Sequence, residues 1–258
     1  MKVASWNLNS IRARLERLLA WLAAQQPDVV CLQELKVADD EFPTEAVEAA
    51  GYHAVAHGQR TYNGVAILSR LPMSDIEVGL RDGVEDPQAR LISARVAGIR
   101  IYSAYFPNGG EVGSEKFAYK LAWMERLRAH LEKHASAAEL LLLCGDMNVA
   151  PDDRDVARPA EWNDTVLCHP DARAALRRFY DQGLVDTFRL HHQEGGFYSW
   201  WDYRLLGFPK NNGLRIDHIL ATEALSKRCT EASIDREARK GKQPSDHAPV
   251  VATFSDLP

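Results

Sequence analysis

The stretch KVASWNLNSIRARLERLLAWLAAQQPDVVCLQEL, Lys2 to Leu35, changes its apolar period twice. Lys2 to Asn7 reads as a strand. Ser10 then caps a helix in which Ile11, Leu15, Leu18, Leu19 and Leu22 recur at helical spacing, until Gln25-Gln26-Pro27 stops it. PDVVCLQEL is a second buried strand. Strand, helix and strand in that order predict a βαβ crossover.

Working outward, YHAVAHG, NGVAILSR, ARLISARVAG and IRIYSAYFP are four more strands, the last two joined at Ala97-Gly98, where glycine supplies the turn. Glu115 to His134 is a long amphipathic helix with Phe117, Leu121, Met124, Leu127 and Leu131 on one side. It leads into LLLLCGDMNVAPDD, Leu140 to Asp153, a buried strand that breaks open at Gly145-Asp146-Met147-Asn148. Residues 149–170 are polar and proline-rich, hence a loop, 171–182 a short helix, and LRIDHIL and HAPVVATF late strands. With no linker, repeat or low-complexity stretch, the chain reads as one domain over 1–258, a layered α/β sandwich with helices outside packed sheets.

Composition narrows the class. At 46% apolar residues the chain can bury a sizeable core. Its N-terminus lacks the apolar run of a signal peptide and no later run is long enough to span a bilayer, so we expect a cytoplasmic protein with no membrane contact. Cys31, Cys144, Cys168 and Cys229 are widely spaced and form no Cys-x-x-Cys pair, which reads as reduced thiols. A net charge of −5 argues against a non-specific polyanion binder. The basic groups Arg12-Arg14-Arg17, Lys116-Lys120 and Arg236-Arg239-Lys240-Lys242 read as solvated faces.

Polar residues at the ends of apolar strands carry the chemistry, because sites in α/β sheets gather beyond strand ends. Asn7 follows KVASW, Glu34 follows VVCLQ, Tyr105 follows IRIYSA, and Asp146 and Asn148 follow LLLLCG; Asp217 lies in LRIDHIL, and Asp246-His247 precede APVVATF. Such a set holds carboxylates, amides, a phenol and an imidazole, with no serine or cysteine nucleophile. It fits metal-assisted hydrolysis of a phosphate ester, with hard oxygen ligands such as Glu34 for Mg²⁺ or Mn²⁺. Asp146 can take a water's proton while Asn148 orients that water, and His247 held by Asp217 can stay cationic beside a phosphate oxygen. Alone, an Asp-x-Asn after a strand is a turn or helix cap, and His130 and His134, though spaced i, i+4, lack a nearby acidic base for a metal site. His191-His192 and Cys168-His169 are set aside in the same way.

In order along nearly the whole chain, SWNLNSIRAR, PDVVCLQELK, YNGVAILSR, YFPNG, LCGDMNVAP, LVDTFR, SWWDYR, GLRIDHIL and PSDHAPV closely resemble the exonuclease III family of DNA-repair nucleases. LQELK, GDMN and SDHAP recur through the wider endonuclease/exonuclease/phosphatase superfamily; YNGVAILSR, YFPNG and WWDYR followed by GLRID point to its DNA-repair branch.

The resemblance implies a DNase I-like four-layer α/β sandwich, two packed mixed β-sheets flanked by helices. It implies Mg²⁺- or Mn²⁺-dependent hydrolysis of the P–O3′ bond at abasic sites, with 3′→5′ exonuclease and 3′-phosphatase or phosphodiesterase activity, in base excision repair. By the same resemblance Glu34 is the principal metal ligand, with Asn7, Asn9 and Asp246 around the metal or its waters. Asp146 activates the attacking water and Asn148 positions it. Tyr105 and Asn108 contact phosphate, and His247 paired with Asp217 stabilises the pentacovalent charge. Trp200, Leu214 and Ile216 surround a flipped-out abasic sugar, with Lys116 and Arg90 as further phosphate contacts. The implied partner is double-stranded DNA with abasic sites, nicks or blocked 3′ ends, met by a monomer.

His218 departs from the family, where many bacterial members have an apolar residue, and it either adds an imidazole near the site or packs. Two other readings compete: a phosphoesterase with another substrate, which WWDYR and GLRID argue against, and a silent nucleic-acid-binding regulator. The latter should have lost metal- or water-handling residues that are all present here.

Overall fold

The computed structural model describes residues 1–134 and 139–255. Its strands run in chain order as β1 (Lys2–Asn7), β2 (Val29–Gln33), β3 (His53–His57), β4 (Val65–Ser69), β5 (Met73–Val78), β6 (Leu91–Val96), β7 (Ile99–Tyr105), β8 (Leu141–Asp146), β9 (Leu184–Asp186), β10 (Asp217–Thr222), β11 (Cys229–Ile234) and β12 (Val250–Phe254). They form two six-stranded sheets, ordered β11-β12-β1-β2-β4-β3 and β5-β6-β7-β8-β10-β9.

Each sheet holds one parallel pair at its centre. In the first, β1 and β2 are parallel and joined by helix α1 (Ile11–Gln25), the crossover read from Lys2 to Leu35. Ser10 Oγ accepts the Ala13 N–H at 3.3 Å, as a cap should. In the second sheet β7 and β8 are parallel, and the chain between them runs through a helix of Glu115–His134. All other pairings are antiparallel, including the β6–β7 hairpin, whose Ala97 and Gly98 both have positive φ, as a two-residue primed turn needs.

The run Leu141–Cys144 explains the layering. Leu142 and Cys144 face the other sheet, packing with Cys31, Ile67, Ile101 and Ile219. Leu141 and Leu143 face outward under Phe117, Met124 and Leu127 of the 115–134 helix and Leu176 of the 170–181 helix. A strand covered on both faces reads as unbroken apolar sequence, which is why its leucines do not alternate with polar residues. On the far side Ile11, Leu18 and Leu22 of α1 cover Ala4, Val30 and Leu32. The result is four layers, helix, sheet, sheet, helix.

The structure departs from the sequence reading in several places. LRIDHIL is a strand only from Asp217. Before it, Arg215 N–H bonds to Asp155 O, the Ile216 carbonyl accepts Met147 N–H, and Ile216 N–H bonds to Ser199 Oγ, so that backbone is satisfied by loops rather than a ladder. Residues 149–170 contain a 3₁₀ turn at Asp153–Asp155 and a short helix at Pro159–Trp162. Strands β5, β9 and β11 had no apolar run to announce them; β5 is an edge strand with an exposed face. Among the described residues no helix is long and apolar enough to cross a membrane.

Candidate active site

Strand ends from both sheets meet at one edge of the sandwich. β1 ends in Asn7, β2 delivers Glu34 one residue past its end, and β7 and β8 end in Tyr105 and Asp146 side by side. The antiparallel β10 places Asp217 opposite Asp146. Gly145 makes this close packing feasible, because a Cβ there would stand 1.9 Å from the Ala104 carbonyl oxygen.

Asn7 joins the two sheets. Its Nδ2 donates to Glu34 Oε1 at 2.8 Å and to Asp146 Oδ2 at 2.9 Å. Its Oδ1 accepts the Asn9 backbone N–H at 2.9 Å, and because that N–H can only donate, the amide's orientation is fixed. Asn7 therefore offers the carboxylates a donor and holds them.

Glu34 sits at φ 51 and Lys36 at φ 58, two left-handed residues that fold the chain back after β2. Lys36 Nζ lies 2.8 Å from Glu34 Oε2 and donates to Asn9 Oδ1 at 2.6 Å. Asn9 Nδ2 donates to Asp246 Oδ1 at 3.0 Å, and Trp200 Nε1 to Asp246 Oδ2 at 2.9 Å. An ammonium thus already stands among the hard oxygens expected to surround a divalent ion. This corner stabilises positive charge, and its donor set suits Mg²⁺ or Mn²⁺. Glu34, Asp146 and His247 each offer an atom within 4.8 Å of the others, the one such grouping among the described residues. Of the three, His247 already has its Nδ1 bonded to Asp217 at 2.8 Å.

Burial alone would lower the His247 imidazole, but the charges of Asp217 and Asp146 overcome it and raise it to about 10. Asp217 Oδ2 accepts His247 Nδ1–H at 2.8 Å and the Ser199 hydroxyl at 2.6 Å. His247 Nε2 points toward Asp146 Oδ2, 3.7 Å away. Burial pushes Asp146 up to about 7, against the His247 charge and with help from Asp217 and Glu34. Asp246 goes the other way: burial would raise it, yet the His247 charge and the Trp200 and Asn9 donors hold it below the ordinary carboxylate value.

Asn148 lies just past β8 at φ 49. Its N–H donates to Asp146 Oδ1 at 2.9 Å, its Nδ2 to Phe106 O at 2.9 Å, and its Oδ1 accepts Asn108 Nδ2 at 3.1 Å. Burial, reinforced by the Glu34 and Asp146 charges, raises the Tyr105 hydroxyl well above its ordinary value and keeps it a neutral donor. Arg90 lies over the Tyr105 ring at 4.9 Å. Beside this group opens a cleft of about 500 Å³ lined in part by Tyr62, Arg90, Tyr105, Asn108, Lys116 and Tyr119.

The apolar trio is less open than the sequence reading supposed. Leu214 and Ile216 are fully buried, and only Trp200, edge-on to Trp162 at 5.6 Å, keeps exposed surface. His218 packs: its ring meets Arg215 Nη1 at 3.0 Å and Val149 O at 3.2 Å, behind the site. His130 is a core residue bonded to Leu80 O at 2.9 Å, while the His134 side chain lies outside the described residues. Lys120, read as part of a solvated face, is fully buried.

Sequence reasoning missed Lys36, Ser199 and Ser245, the last of which donates to Asn7 O at 2.6 Å. Lys36 had a signal in its position two residues after Glu34. Ser199 and Ser245 lie in the quoted SWWDYR and SDHAP motifs, but what they brace, the Asp217 carboxylate and the Asn7 carbonyl, is set by tertiary contact.

Residues 4–247 match the Endonuclease/Exonuclease/phosphatase family. The chain is 41% identical to Exodeoxyribonuclease III of Haemophilus influenzae, covering 98% of this chain and 100% of the relative. It superposes with a TM-score of 0.96 on an AP endonuclease from Archaeoglobus fulgidus, at 40% identity over 99% of this chain and 100% of the other. The TM-score is also 0.96, at 41% identity over 99% and 100% of the two chains, for the 3′ phosphatase NExo from Neisseria bound to a product DNA hairpin.

Proposed function

The chain belongs to the endonuclease/exonuclease/phosphatase family and is a DNA-repair nuclease of the exonuclease III type, and on that premise we propose that it hydrolyses the P–O3′ bond at abasic sites and blocked 3′ ends. Its substrate on this reading is double-stranded DNA with abasic sites, nicks or 3′ blocks, and it works as a cytoplasmic monomer in base excision repair.

One observation carries the reading: Asp146, raised by burial to about 7, and His247, raised to about 10, lie 3.7 Å apart with Asn148 bonded to Asp146. A carboxylate whose value lies near neutral pH is suited to take a proton from water. The Asn148 amide, braced by Phe106 O and Asn108, orients that water. His247, cationic through Asp217, donates to a non-bridging phosphate oxygen as negative charge grows there. The neutral Tyr105 hydroxyl donates to the same phosphate. Glu34, with Asp246 and Asn9 beside it, would hold Mg²⁺ or Mn²⁺, which when bound neutralises phosphate charge. Asn7 keeps Glu34 and Asp146 at fixed separation throughout. Trp200 offers the apolar surface for a baseless sugar.

The test uses three labelled duplexes, with an internal abasic site, a recessed 3′ end and a 3′-phosphate, each with Mg²⁺, with Mn²⁺ and with excess chelator. The reading requires metal-dependent products that end in a 3′-hydroxyl. Binding without cleavage of any duplex would overturn it.

A further inference from the structure

Lys120 is among the largest fully buried side chains of the protein. Its Nζ donates to three backbone carbonyls, Asn148 O at 2.7 Å, Val166 O at 2.7 Å and Asn108 O at 3.1 Å. These belong to three separate segments: the turn after β8, the 149–170 loop and the stretch after β7. The packing around its stem is equally close, since a Cβ on Gly109, which sits at φ +99, would stand 3.0 Å from Lys120 Cδ and 3.2 Å from Phe117.

A buried ammonium is an expensive way to fill space. Removing its charge from water is costly, and a methionine of similar length would pack without that cost. What methionine lacks is three protons directed at three acceptors. Burial draws Lys120 down to about 7, while the Asp146 charge opposes this. Three carbonyls at hydrogen-bond distance take one proton each, and only the charged amine has three.

We propose that Lys120 is a positioning residue for the reaction, fastening the backbones of Asn108, Asn148 and Val166 to one point so that the Asn148 amide is aimed at the attacking water. The assignment rests on the nuclease reading above. Asn148 has a left-handed backbone, at φ 49, a region asparagine tolerates and the neighbouring bonds fix. Lys120 holds its carbonyl, Asp146 its N–H, and Phe106 and Asn108 its side chain. The same ammonium ties Val166 of the 149–170 loop to Asn148.

The experiment is a double-mutant cycle on the metal-loaded enzyme with the 3′-phosphate duplex, comparing wild type, Lys120→Met, Asn148→Ala and the double variant. Lys120→Met is expected to lower kcat by about 10- to 100-fold with KM changed by less than about threefold, as for a misplaced group that does not itself bind DNA. In the Asn148→Ala background the same change is expected to cost less than about twofold, because Lys120 acts through Asn148. Losses that multiply would overturn the proposal, as would equal effects on kcat and KM. Lys120→Gln, which keeps two donors, replaces Lys120→Met if the latter does not fold, and the same absence of multiplication is required of it. An inactive wild type would strike the nuclease reading itself, and the assignment with it; an active wild type unaffected by Lys120→Met would strike the assignment alone.

Discussion

Asn7 and Asp146 end strands of opposite sheets, and the amide of one stands 2.9 Å from the carboxylate of the other. The same amide nitrogen reaches Glu34 at 2.8 Å, so one side chain sets the separation between the expected metal ligand and the expected base.

Asn7→Ala is therefore expected to reduce kcat by about 100-fold, a typical cost of losing catalytic alignment. It should also raise the Mg²⁺ concentration that gives half-maximal rate, since Glu34 loses its donor. Measuring rate against Mg²⁺ concentration tests both; a variant with normal kcat and normal metal demand would mean that Asn7 merely fills space.

Asp146→Asn keeps the shape and removes the base. The expected loss in kcat is about 10²- to 10⁴-fold. Affinity for the abasic duplex, measured in Ca²⁺ to block turnover, should stay within about threefold of wild type. Loss of binding instead would assign the residue a structural role.

In the metal-free protein the His247 ring is expected to titrate near 10, against 6.5 for an ordinary histidine. Its folded value is raised, so the stability it contributes is fully present below 6.5 and is lost as pH climbs through about 10. Nitrogen NMR of the labelled ring follows the titration directly. Asp217→Asn should lower the value by about one unit or more. A ring that titrates at its ordinary value in the wild type rules this account out.

Trp200 has two jobs that two substitutions separate. Trp200→Phe keeps an aromatic face but loses the donor to Asp246, 2.9 Å away. It should weaken metal activation by a few fold, the worth of about one hydrogen bond. Trp200→Ala should in addition depress abasic-site incision more than 3′-phosphate removal. Equal losses on the two substrates would make Trp200 a packing residue.

Much of this was legible in the chain, for particular reasons. The βαβ unit from Lys2 and the run at Leu140 announced themselves because strong periodicity and burial on both faces leave marks in sequence. Asn7, Glu34, Tyr105 and Asp146 stood out because each follows or ends an apolar strand, and Asp217 because it interrupts LRIDHIL. Strands β9 and β11 left no such mark, β9 being three residues long and β11 having exposed Thr230 and Glu231. Lys120 was misread because a lysine on a helix is ordinarily solvated, and only tertiary packing turns it inward. The orientation of the Asn7 amide was unreadable, as it depends on the backbone N–H of Asn9.

The pairing of β12 between β1 and β11 has a consequence for synthesis. Strand β1 is made early, and its partner β12 follows about 250 residues later and brings Asp246 and His247 with it. At elongation rates of about 5–20 residues per second, β1 waits roughly tens of seconds for that partner. Glu34 and then Asp146 are made within that interval, each before the imidazole of His247. The acid–base pair of the site is thus divided between distant parts of the chain, and β12 must pair with β1 to bring the imidazole of His247 to Asp146.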